Sequence, residues 1–99
     1  NKGKFLENLV YTELVKNNYE IYFYNKNFEC DLIEKKEDKT IAIQVCYELT
    51  LQNQDREFQG LKKLPFEVDE KYIITYNQSD TKENITVTPF YKFFFEVIG

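Results

Sequence analysis

Two short segments constrain this chain more than any others: Phe28 to Lys35 and Thr40 to Tyr47, joined by the polar loop Lys36-Glu37-Asp38-Lys39. Each is rich in β-branched and apolar residues, and strands this close in sequence pair most simply as an antiparallel hairpin. If Lys35 faces Thr40, then Ile33 faces Ala42, Asp31 faces Gln44 and Glu29 faces Cys46. Side chains alternate across a strand, so these residues share one face of the sheet. The other face carries Phe28, Cys30 and Leu32 against Ile41, Ile43, Val45 and Tyr47. That second face is nearly all apolar and is expected to be core. The first mixes acids, an amide and small residues, and a polar patch on a buried hairpin calls for an explanation.

The same alternation places Cys30 and Cys46 on opposite faces, which argues against a disulfide between them. Two reduced, buried thiols suit a cytoplasmic protein. No apolar run approaches the ~20 residues needed to cross a bilayer, and no signal peptide precedes the first helix, which also points to the cytoplasm.

Around the hairpin the elements read in order. Phe5, Leu6, Leu9, Val10 and Leu14 recur at helical spacing, which predicts a helix from Gly3 to about Lys16, stopped at Asn17-Asn18. Glu7 lies at the edge of that stripe. Glu20 to Tyr24 reads as a strand, followed by a turn at Asn25-Lys26-Asn27. Leu51, Phe58, Leu61 and Leu64 predict a second helix over 51–64, ended by Pro65. Lys71 to Tyr76 reads as a central strand, Asn77 to Asn84 as a polar loop and Ile85 to Val87 as a short strand. Pro89 can open a terminal helix from Phe90 to Val97. The expectation is one α/β (α+β) domain over residues 1–99, ordered helix, three strands, helix, strand, short strand, helix.

Composition narrows the chemistry. With no histidine in the chain, Ser-His-Asp and Cys-His nucleophile systems and histidine-based zinc sites are excluded as self-contained options. Two cysteines are too few for a thiolate zinc site, so a bound metal would take oxygen ligands, as Mg²⁺ does. The formal net charge of −4 argues against a dedicated nucleic-acid binder, whose surface carries a basic excess. There is no Gly-rich phosphate loop, so the chain has no nucleotide site of its own. Eight Tyr and nine Phe supply large apolar areas, enough for a real core in a small chain. Because Phe93, Phe94 and Phe95 are consecutive, at least one must be exposed on an isolated helix. These rings pack a core or an interface more readily than they stack on bases.

An acidic residue on a first helix, an Asp at the start of a second strand and a Glu/Gln-x-Lys on the next strand mark the PD-(D/E)XK nuclease-like superfamily. The matching residues are Glu7 in KFLENLVYTEL, Asp31 in ECDLIEKK and Gln44 in IAIQVCYEL. Nearly the whole chain resembles one branch of it, the domain C-terminal to the nucleotide-binding module in predicted ATPases of the AAA superfamily. The resemblance implies a restriction-endonuclease-like core and a C-terminal fragment of a longer ATPase. It also implies Asp31, Gln44 and Glu7 as ligands of Mg²⁺, which activates water and stabilises charge on a phosphate.

Cys46 departs from the pattern, standing where the catalytic lysine belongs. A thiol supplies no cation, and losing such a contact costs about 3–4 kcal/mol in the transition state. Lys62 and Lys63 are the nameable candidates for a relocated lysine. The resulting expectation is an accessory domain, catalytically impaired or inactive, serving regulation, assembly or nucleic-acid contact. Its partners would be the ATPase module of the same chain and a second copy through the C-terminal aromatic helix, with no membrane. The alternatives are an active Mg²⁺-dependent phosphodiesterase with a relocated lysine, or a plain protein-interaction module. Read without the resemblance, Glu7 is a solvated helix acid, Gln44 a buried amide bonded to a neighbour, and Cys46 a small buried hydrophobe.

Overall fold

Helix α1 (Lys2–Lys16) opens the chain, with the Asn1 side chain accepting the Lys4 N–H at 3.0 Å as its N-cap. Leu6, Val10 and Leu14 recur every fourth residue and form its buried line. The helix ends where Asn17 Nδ2 bonds the Glu13 carbonyl and Asn18 turns to φ 64°, a left-handed exit that asparagine tolerates. This computed structural model describes residues 1–26 and 29–99, and the side chains of these apart from residues 25, 26, 29–32 and 34.

Strands β1 (Glu20–Lys26), β2 (Glu29–Lys36) and β3 (Lys39–Val45) follow as an antiparallel meander. From Leu32 to Lys36 the expected hairpin register holds, with Lys35 opposite Thr40 and Ile33 opposite Ala42, but the ladder stops at Leu32 and Ile43, short of the expected Asp31–Gln44 and Glu29–Cys46 pairs. The connection is tighter than expected. Lys36 and Lys39 also pair, which leaves a two-residue turn with Glu37 at φ 57°. A positive φ there suits the twist of a two-residue hairpin. Because the ladder lengthens by one residue on each strand, the faces are unchanged. Strand β1 runs on through Asn25 and Lys26, where a turn was expected; Asn27 and Phe28 lie outside the described residues.

Helix α2 is Gln54–Lys62, shorter than the expected 51–64. Thr50 and Asn53 bond each other reciprocally, Thr50 N–H to Asn53 Oδ1 at 2.8 Å and Asn53 N–H to Thr50 Oγ1 at 3.2 Å. This turn carries Leu51 to the outer corner, 86 % exposed, so Leu51 is not part of the core. Strand β4 (Glu70–Thr75) then lies between β3 and β6 (Ile85–Pro89), parallel to both, and is central as expected.

The polar stretch expected as loop contains a further strand, β5 (Asp80–Lys82), antiparallel to β6. Its three residues are all exposed and show no apolar alternation. The pairing comes from Glu83 and Asn84, both at positive φ, the geometry of a two-residue hairpin turn. Helix α3 (Phe90–Glu96) leaves the sheet at Pro89.

The result is a mixed six-stranded sheet, ordered β1-β2-β3-β4-β6-β5, with three helices. Alternation gives it two apolar faces. Ile41, Ile43 and Ile74 pack with Leu6, Val10 and Leu14 of α1 and Phe93 of α3. Ile33, Ala42, Cys46 and Ile73 pack with Phe58 and Leu61 of α2. As the run of aromatic residues required, Phe93 is buried while Phe95 is 85 % exposed. Among the described residues no helix is long and apolar enough to cross a membrane.

Candidate functional site

The mixed face of the hairpin lies beneath α2. Gln44 and Cys46, on β3 and just beyond it, point to that side and are nearly inaccessible, at 5 % and 8 % exposed. Two amide–acid partners meet there. Gln44 Nε2 donates to Glu57 Oε2 at 2.6 Å, a short charge-assisted bond between β3 and α2. Glu57 is itself only 5 % exposed, and its other oxygen faces the Arg56 guanidinium at 3.7 Å. Arg56 is the sole arginine of the chain.

The sequence contained a signal for Glu57, since it shares the α2 stripe with Phe58 and Leu61 and so carries a carboxylate into an apolar face. Nothing in the hairpin itself points to it.

Cys46 sits in the same cluster. Its thiol donates to the Glu48 carbonyl at 3.3 Å, and Asn53 Nδ2 reaches both Cys46 Sγ at 3.7 Å and the Glu48 carbonyl at 3.0 Å. Burial pushes the thiol pKa up to about 11, reinforced by the Glu57 charge and its hydrogen bond. The Glu48 contact and Arg56 oppose this more weakly. At neutral pH the residue in the lysine position is therefore a neutral thiol, neither a nucleophile nor a cation.

The other expected site residues are placed differently. Glu7 is half-buried on α1, whose packed line belongs to the opposite face of the sheet, with Ile41 and Ile43. Asp31 pairs through its backbone with Tyr24 in the β1–β2 ladder, while its side chain lies outside the described residues. So does the Cys30 side chain; Cys46 is a free, buried cysteine. Lys62 is held by Glu83 at 2.8 Å, at the turn between β5 and β6, and Lys63 is exposed. Lys62 thus serves an ion pair at the far end of α2 from Glu57.

Mg²⁺ requires near-octahedral oxygen ligation. Among the described residues no group of three or more His, Cys, Asp or Glu side chains is placed to hold a metal ion. Glu57 and Gln44 supply hard oxygens from two elements, and the neighbouring sulfur is protonated and soft. These described side chains do not fit a Mg²⁺ centre by themselves. What they form is a buried polar clamp that fastens α2 to β3.

Residues 2–93 match the family described as a domain of unknown function, DUF4143. The chain belongs to that family. This DUF4143 domain is also 39 % identical, over 109 residues, to the uncharacterized protein MJ1544 of Methanocaldococcus jannaschii. That alignment takes in 93 % of the chain and 24 % of the relative, so the chain spans about a quarter of the relative's length. No solved structure matches the DUF4143 domain.

Proposed function

We propose that this chain is a nuclease-like accessory domain of a predicted ATPase, one that does not cleave nucleic acid and serves the regulation or assembly of the longer protein. The element order supports a restriction-endonuclease-like core: a helix, an antiparallel three-stranded meander, a crossover helix, and a strand parallel to the third. The length of the relative, about four times the matched segment, supports a role as one part of a larger chain.

The observation that carries the proposal is the state of Cys46. Phosphodiester cleavage in such a site needs a cation two residues beyond Gln44 to stabilise charge as it develops. There the chain has a neutral thiol beside a buried carboxylate, an environment that opposes negative charge on the sulfur. The exposed α3 side chains Tyr91 and Phe95 favour a protein partner over a nucleic acid, as does the net charge of −4.

The test is a cleavage assay with Mg²⁺ or Mn²⁺ on duplex, branched and single-stranded DNA. No turnover is expected. Turnover that disappears in Asp31→Ala would overturn the proposal in favour of a metal-dependent phosphodiesterase.

A further inference from the structure

The two edges of the sheet are treated very differently. At one edge β5 is three residues long, exposed at each of them, and carries Asp80, Thr81 and Lys82. A short polar edge of this kind resists pairing with another sheet. At the other edge β1 is seven residues long and, among the described residues, pairs only with β2, which leaves one side of its backbone without a described strand beside it. Its ladder with β2 is unbroken from Glu20↔Lys35 to Lys26↔Glu29, without a bulge, and it contains no proline. Its charges, Glu20 and Lys26, stand only at its two ends, so neither bulge, proline nor mid-strand charge interrupts the edge.

Both sides of this edge also carry exposed rings. Phe23, 59 % exposed, stacks on Tyr11 of α1 with centroids 6.0 Å apart. On the α2 side Tyr22 is 51 % exposed, and Tyr24 meets the partly exposed Phe66 edge-on at 5.6 Å. An open row of backbone groups flanked above and below by aromatic side chains is the surface that strand addition uses.

We infer that β1 pairs antiparallel with β1 of a second copy of this chain, about a two-fold axis at Phe23, joining the two sheets into one. The sequence of the strand is the reason to choose a second copy. In the run EIYFYNK, two-fold pairing about Phe23 sets Glu20 opposite the partner's Lys26, and Lys26 opposite the partner's Glu20. Tyr22 then faces the partner's Tyr24, and Phe23 the partner's Phe23. The one acid and one base of β1 fall at opposite ends, so an isologous pairing matches both charges twice and puts rings in the middle. A parallel pairing in register would set Glu20 on Glu20 and Lys26 on Lys26, and is disfavoured.

The experiment is sedimentation velocity on the full chain across micromolar to sub-millimolar concentration, with charge variants of β1. Dimerisation of the full chain is expected. Glu20→Lys and Lys26→Glu each create two like-charge pairs per dimer and are expected to raise Kd about tenfold. The double variant Glu20→Lys/Lys26→Glu restores opposite charges and is expected to recover most of the affinity. Phe23→Lys, at an exposed position, serves as a second disruptive variant, with native far-UV circular dichroism required of each protein. A strictly monomeric full chain would overturn the inference. So would a dimer indifferent to the single swaps, or one abolished instead by Phe95→Lys on α3.

Discussion

Cys46 and Glu57 set each other's chemistry. Because the thiol pKa is raised, the folded state holds its proton more tightly than the unfolded chain, whose thiols titrate near ~8.5. Its contribution to stability is therefore complete below that pH and is lost as pH rises toward about 11. In a Cys30→Ser background, alkylation of Cys46 at pH 8 is expected to be about a hundredfold slower than that of a free thiol. Glu57→Gln removes the charge that opposes the thiolate and should move the midpoint of the rate–pH profile downward. An alkylation rate equal to that of an unhindered thiol would show that the sulfur is not held as described.

The Gln44–Glu57 bond allows a second test at the same scale. Gln44→Leu takes a donor from a buried carboxylate and is expected to cost about 1–3 kcal/mol, and Glu57→Leu a similar amount. The double variant Gln44→Leu/Glu57→Leu replaces both partners by apolar groups and should recover most of that loss in urea denaturation. Gln44 was legible in the sequence as a polar residue on a buried face. Glu57 was legible only as a carboxylate on the α2 stripe; that it meets Gln44 was not, because it does so through the packing of a helix thirteen residues away.

Helix α2 shows how an element is decided by its anchors. At nine residues it is too short to be stable alone, and it is held by Phe58 and Leu61 against the sheet. Leu61→Ala is expected to destabilise by about 2–5 kcal/mol, and Leu51→Ala to stay within about 0.5 kcal/mol, both read from urea midpoints. Helical periodicity alone would assign both leucines to one buried stripe. The Thr50–Asn53 exchange closes a turn before α2 begins at Gln54, and Leu51 lies on the outside of that turn. Strand β5 went unread for a related reason. Its pairing depends on two consecutive positive-φ residues, Glu83 and Asn84, and not on any apolar pattern.

Across the whole molecule, one sheet separates two cores, and α3 closes the first of them. Phe93 is fully buried against Tyr72, with ring centroids 5.2 Å apart, while Phe95 two residues later faces solvent. Phe93→Ala is expected to cost about 3–5 kcal/mol. Phe95→Ala should leave the thermal midpoint of the isolated chain nearly unchanged, because its loss removes few folded-state contacts. If Phe95 docks on the rest of a longer chain, the same variant weakens that association, which a pull-down between the separated parts would measure.

By itself the amino-acid order determined the β2–β3 hairpin, its register from Leu32 to Lys36 and which of these residues face each side, since these follow from a two-residue period and a short connection. It also required an exposed phenylalanine on the last helix, because three consecutive rings cannot share one side of it. Tertiary structure alone decided that Glu57 lies under Gln44 and Cys46, that Lys62 turns to Glu83, and that β1 is left as an open edge. These depend on which elements meet across the parallel β3–β4 and β4–β6 pairings. Contacts of that kind join residues far apart in the chain, and no local periodicity encodes them.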